Sequence, residues 1–77
     1  MNYEKLLLWK AGTRTEQIAA ELAYRIEGGK FTKWDELPLN RTLAGEFDVH
    51  PRLISSVKSL LAQEGLLKLE GRRYYVA

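Results

Sequence analysis

The sequence predicts a mainly α-helical domain that ends in a small β-hairpin, and three observations support this prediction. Apolar residues recur at helical spacing in the segments 13–27, 40–47 and 51–64. Residues typical of helix starts and stops bound each of these segments. Two short apolar runs, 66–70 and 74–76, then flank a glycine and two arginines, which is the pattern of a hairpin with a basic tip.

The composition restricts the class of protein. The chain has 77 residues, no cysteine and a single histidine, His50, so it cannot build disulfides, thiolate metal sites or a multi-histidine metal site. No apolar run approaches the ~20 residues that span a bilayer. We therefore expect a one-domain cytoplasmic protein without membrane association, cofactor or metal. It also lacks a nucleophile–base set and a glycine-rich phosphate loop, so we do not expect an enzyme.

The N-terminal half should contain two helices. Residues 1–12 are predicted as an extension with a short helix over 2–10, which Ala11-Gly12 ends. Thr13 and Glu16 form a capping-box pattern at the start of the next helix, and Gly28-Gly29 ends that helix. A short extended piece is expected at Glu36-Leu37, before Pro38.

The C-terminal half should contain a helix, a tight turn, a second helix and the hairpin. The first of these helices begins at Asn40 or Arg41 and ends at Phe47, with Asp48 as the turn residue. His50 or its neighbour caps the next helix, with Pro51 at its first position, and Gly65 stops it. Three core helices followed by a two-stranded hairpin make residues 13–77 a winged helix-turn-helix, with an extra short N-terminal helix.

The helix that begins at Pro51 has one apolar and one polar side. Its polar side combines one long cation with small polar side chains and carries no acid: Arg52, Ser55, Ser56, Ser59 and Gln63. Helices that enter the DNA major groove have this character, because small side chains allow close approach. An amphipathic helix with a merely solvated outer face is the alternative. Basic residues are concentrated from Arg52 onward, which favours the DNA-binding interpretation.

From about Thr15 to Val76 the sequence resembles the N-terminal DNA-binding domain of GntR-type bacterial transcription regulators. The resemblance lies in the order and spacing of the matching residues. These residues are Glu16-Gln17-Ile18-Ala19, Leu22, Ile26, Gly29, Lys30, Leu37-Pro38, Arg41, Leu43, Ala44, Phe47, Val49, Pro51, Ile54, Leu61 to Leu67, Gly71, Arg72, Tyr75 and Val76. The resemblance implies a winged-helix fold and a role in transcription.

This chain departs from the family pattern at several positions. Leu39 stands where the family usually has a capping serine, so Asn40 is expected to take over the cap. Asp48 replaces a turn glycine, Ser55 replaces an arginine and Lys58 replaces a core leucine. We expect the ammonium of Lys58 at the solvent rim. Family members also continue into an effector-binding, dimerising domain. Met1 and the apolar segment before Thr13 favour a natural minimal protein over an excised domain.

The candidate DNA-binding residues are Arg41, His50, Arg52, Ser55, Ser56, Ser59, Arg72 and Arg73. Arg41 and His50 are positioned for phosphates, and Arg52 for a base edge at the first turn of its helix. The serines could bond to bases or phosphates. Arg72 and Arg73 at the hairpin tip suit phosphates or the minor groove. The alternative for each residue is simple solvent exposure.

Leu53 and Leu60 share a flank of the same helix, where they either widen the core beneath the N-terminal helix or form a self-association patch. A homodimer, on DNA or through the N-terminal helix, is left open. The leading hypothesis is a sequence-specific double-stranded DNA-binding regulator, a repressor of a bacterium, phage or plasmid, associated with the nucleoid when bound. The alternatives are an architectural or excision factor of a mobile element, and a winged-helix protein-interaction module.

Overall fold

The computed structural model describes all residues, 1–77, as four helices followed by one hairpin. The elements are α1 (Tyr3–Lys10), α2 (Arg14–Glu27), α3 (Asn40–Phe47), α4 (Pro51–Gln63), β1 (Leu67–Glu70) and β2 (Arg73–Val76). This architecture confirms the predicted mainly α-helical fold with a three-helix core and a wing. No helix is long and apolar enough to cross a membrane.

Local signals set the ends of α2 as expected. The Thr13 hydroxyl accepts a hydrogen bond from the Glu16 N–H at 3.2 Å, and the Glu16 carboxylate accepts one from the Thr13 N–H at 2.8 Å. This reciprocal box satisfies amides that a helix start would otherwise leave without partners. Gly28 ends the helix, and Gly29 follows at a φ of +84°, which glycine adopts without steric cost.

The turn between α3 and α4 also follows the sequence pattern. Asp48 has the left-handed conformation, with φ +55° and ψ +53°, so the chain reverses where the family pattern has glycine. His50 caps α4, because its Nδ1 accepts a hydrogen bond from the Arg52 N–H at 3.0 Å. Pro51 is the first helical residue, where a missing N–H has no consequence.

The core lies where α4 packs on α2 and α3. Its largest fully buried side chains come from these three helices, and they are Ile18, Leu22, Leu43, Ile54, Val57 and Leu61. Burial of each such side chain contributes roughly 1.5–3 kcal/mol. Arg25 joins α2 to α3 through an ion pair with Glu46, and its guanidinium lies 5.4 Å from the centre of the Phe47 ring.

The N-terminal helix packs on α2 and buries Trp9. Leu53 and Leu60 of α4 are half-buried against the core, as expected for a widened core. The start of α2, which includes Thr15, lies beside them. α1 packs on α2, and Lys5 reaches Glu64 at the end of α4 with an ion pair of 3.1 Å.

The wing differs from the prediction in one respect. β1 and β2 are antiparallel, and Glu70 pairs directly with Arg73, so the connection is the two-residue turn Gly71-Arg72. Arg73 therefore belongs to β2 and not to the tip. A two-residue turn suffices because Gly71 adopts φ +63°, the sign that a hairpin turn of this length requires at its first position.

The connector between α2 and α3 adds a third extended segment to the wing. Glu36 forms an isolated antiparallel bridge with Tyr75, in line with the extended piece predicted at Glu36-Leu37. Hydrogen bonds from the Trp34 N–H to the Val76 carbonyl and from the Val76 N–H to the Asp35 carbonyl, each 2.8 Å, continue the pairing. The connector thus fixes the wing beside the start of α3.

Candidate nucleic-acid interface

The outer face of α4 is polar and open to solvent. Arg52, Ser55, Ser56, Ser59 and Gln63 are all exposed on it. The opposite face is buried in the core, so α4 cannot turn to present other residues. The helix therefore offers hydroxyl groups and one guanidinium to a ligand, with no bulky apolar side chain among them.

A groove runs along one side of this face, between α4, the start of α3 and the wing; we call it the wing groove. Four cationic side chains border it: Arg41, Lys58, Arg72 and Arg73. The carboxylate of Glu36 and the side chains of Asn40, Ser55 and Tyr74 also line it. The groove thus brings together four of the predicted residues, Arg41, Ser55, Arg72 and Arg73. Such a surplus of positive charge attracts a polyanion.

The start of α3 enters this groove without a side-chain cap. Leu39 occupies the cap position and has no polar atom to accept a hydrogen bond from the first amides of the helix. Asn40 was expected to cap, but this prediction is wrong because Asn40 is already helical. Its side chain donates instead to the Ser55 hydroxyl of α4 at 3.1 Å. The helix start borders the groove beside Arg41, and its dipole favours anions.

The two wing arginines are not equivalent. Arg72 lies in the turn, is exposed and makes no ion pair or hydrogen bond within the chain. Arg73 contacts Glu36 at 3.4 Å, so a carboxylate already offsets part of its charge. Arg72 is therefore the more available of the two cations for a ligand.

Lys58 lies deeper than its sequence position indicated. It is 7% exposed, and its ammonium, which borders the wing groove, donates a hydrogen bond of 2.8 Å to the carbonyl of Pro38. Burial lowers the pKa of Lys58, and the Glu36 carboxylate opposes that shift. The sequence signal was present, since Lys58 stands on the apolar side of the helix, but its partner could not be identified from spacing.

The remaining predicted residues lie on the other side of the α4 face, toward the start of α2. His50, Arg52 and Ser56 border a shallow depression with Thr15. Ser59 lies one turn further along, in a second depression that Thr15 also borders. Thr15 was not predicted as a site residue, and neither were Asn40, Lys58 and Tyr74, because only the packing of distant segments places them here.

Three arginines of this surface carry charge that no acid offsets. Arg41, Arg52 and Arg72 have no acidic partner, whereas Arg25 and Arg73 pair with carboxylates. No group of three or more potential metal ligands is present. Unpaired guanidinium groups around a polar helix suit phosphate oxygens and base edges. The fold and this surface define a winged-helix domain with one basic, polar face.

Comparison with known proteins assigns the family. No family model and no curated protein matches the sequence. Among solved structures, the fold is similar to YtrA from Sulfolobus acidocaldarius, a GntR-family transcription factor, with a TM-score of 0.75 and 30% identity over 83% of this chain and 68% of that one. It is also similar to a GntR family transcriptional regulator from Listeria monocytogenes, with a TM-score of 0.75 and 22% identity over 86% of this chain and 59% of that one.

The chain therefore belongs to the GntR family, as the sequence resemblance implied. Membership places it among DNA-binding transcription regulators and outside the enzymes.

Proposed function

We propose that this protein binds double-stranded DNA sequence-specifically and represses transcription from the promoters it occupies. In this proposal α4 enters the major groove, the start of α3 contacts the phosphate backbone, and the wing lies over the adjacent backbone or minor groove. The family assignment supports DNA-binding regulation, and the finer statements rest on the surface described above.

The observation that carries the proposal is the convergence of three separate segments on one groove. The start of α3, the outer face of α4 and the wing turn contribute Arg41, Ser55 and Arg72 to the same surface. An amphipathic helix with a merely solvated face would not require cations from two other segments beside it. A duplex does, because its phosphates flank the groove that a helix enters.

The individual residues divide into two proposed roles. Phosphate contacts come from the groove cations and the α4 cap: Arg41, His50, Arg72 and Arg73. Base contacts come from the α4 face: Arg52, Ser55, Ser56 and Ser59. Arg52 is the strongest base-reading candidate, because it is an exposed, unpaired guanidinium at the first turn of α4 and can bond a guanine edge with two hydrogens.

Repression is the simplest regulatory outcome of such a surface. A protein that occupies a duplex at a promoter blocks access to it, whereas activation needs an additional contact with the transcription machinery. We therefore expect transcription of a reporter to fall when the preferred site overlaps its promoter. Unchanged or increased transcription, with the site occupied, would contradict the repressor assignment.

The central experiment is selection of preferred duplexes from a random pool, followed by anisotropy titration of a labelled winner. We expect enrichment of a defined sequence and affinity that falls steeply with salt. A palindromic winner would indicate two bound copies, and its half-site spacing would give their separation. An absence of enrichment with salt-insensitive binding would reject the proposal and favour a protein-interaction module. Clustering of genomic matches at an attachment region would favour an architectural or excision factor.

A further inference from the structure

Lys58 is the one charged residue in the buried core of this domain. It lies on α4 between the buried residues Val57 and Leu61, and 7% of it is exposed. Its ammonium reaches the Pro38 carbonyl at 2.8 Å, and no other hydrogen bond from this ammonium exists within the chain. A lysine at such a position loses part of its hydration, and one of its three N–H groups donates to the protein.

The surroundings do not pair this charge directly with an acid. Arg41, Arg72 and Arg73 border the same groove as Lys58, and Glu36 is the one carboxylate there, already in contact with Arg73. The start of α3 adds the positive end of a helix dipole. An apolar side chain of the same length would avoid the desolvation of this charge, and replacing buried charges by apolar groups is often neutral or stabilising.

The hydrogen bond acts next to the start of α3, which has no side-chain cap. Pro38 immediately precedes Leu39, whose side chain cannot cap the helix. Two side-chain hydrogen bonds tie this helix start to α4: Lys58 to the Pro38 carbonyl, and Asn40 to the Ser55 hydroxyl at 3.1 Å. Lys58 therefore fixes the backbone three residues before Arg41, the cation that the start of α3 carries into the wing groove.

We propose that Lys58 is a positioning residue for DNA binding, which holds the uncapped start of α3 so that Arg41 meets a phosphate. This inference rests on the proposed function and adds to it a residue that acts through its hydrogen bond to Pro38. It also explains why an unfavourable buried charge occupies the core: its benefit appears in the complex and not in the stability of the free domain.

The test replaces Lys58 by methionine, which keeps the length of the side chain and removes the donor. We expect K58M to unfold at the same temperature as the unaltered chain or a higher one. Its affinity for the selected duplex should nevertheless fall by about 5- to 10-fold, the range that the net loss of one ordinary hydrogen bond implies. Lys10→Met is the matched control, because Lys10 is exposed on α1, away from the groove, and carries the same charge.

A double-mutant cycle with Arg41→Ala separates positioning from an independent effect. If Lys58 acts through the start of α3, adding K58M to R41A should weaken binding by less than twofold, since the contact it organises is already lost. Three results would each overturn the inference. K58M and K10M could bind with equal affinity, the losses in the cycle could be additive, or K58M could lose stability and affinity in parallel. Failure of the unaltered chain to bind any duplex would instead reject the proposed function, and this inference with it.

Discussion

The salt dependence of DNA binding should reveal which cations contact phosphates. Arg41, near the start of α3, and Arg72, in the wing turn, both border the wing groove and have no acidic partner within the chain. Each phosphate contact contributes about 0.9 to the slope of log affinity against log salt. Arg72→Ala should therefore reduce the magnitude of the slope by about 0.9, and the double substitution R41A/R72A by about 1.8.

The expected difference is large enough to measure directly. Raising salt from about 50 to about 200 mM is a fourfold change, so the salt-induced loss of affinity should be about 3.5-fold smaller for R72A and about 12-fold smaller for R41A/R72A than for the unaltered chain. Anisotropy titrations of one labelled duplex over this range give the slopes. Lys10→Ala on α1 serves as the control, because it removes the same charge from a surface that we place outside the interface.

Two results would refute this reasoning. If R41A/R72A keeps the slope of the unaltered chain, neither arginine contacts a phosphate, whatever happens to the affinity. If K10A reduces the slope as much as R72A does, the effect reports net charge and not a site. Arg73 is less suitable for this measurement, because its removal also frees the Glu36 carboxylate 3.4 Å away.

Three further predictions concern specificity and stability. Arg52→Ala should relax the preference at one base-pair position, with a loss of about 1–3 kcal/mol there, which a repeated duplex selection would show as lost enrichment. Thr13→Ala should reduce the free energy of unfolding by about 0.5–2 kcal/mol in urea titrations, because it removes the capping box of α2. The hydrogen-bonded guanidinium of Arg25 lowers the pKa of Glu46 below its ordinary value. Glu46→Gln should therefore lower the free energy of unfolding at neutral pH, and this loss should disappear as the pH falls below about 4.5. A difference in the free energy of unfolding between the two proteins that stays constant across pH 3–7 would contradict this.

The features predicted correctly from the sequence are those that neighbouring residues determine. Thr13 and Glu16 cap each other across three residues, and Asp48 turns the chain through its own backbone conformation. His50 caps a helix through an amide two residues away. Such contacts leave a signature in a short window, so the helix boundaries and the fold class followed from them.

The features that the sequence did not predict depend on partners far along the chain. Asn40 bonds to Ser55 instead of capping its own helix, because α3 and α4 pack together. Lys58 reaches Pro38, twenty positions away. The eight candidate residues were named from spacing and resemblance, yet their division into a wing groove and a second side toward α2 required the packed structure. Which of them contact DNA stays a prediction.

The distribution of free charge bears on how the protein would achieve specificity. Of the three unpaired arginines on the interface, Arg41 and Arg72 flank α4, and only Arg52 lies on the helix itself. Contacts to phosphates strengthen binding to every sequence alike, whereas base contacts distinguish sequences. One guanidinium and three serines on α4 can therefore specify few base pairs from a single copy. A second copy on a symmetric site would double the number of base pairs read without changing the protein, so we expect the selected duplex to be a palindrome of two short half-sites.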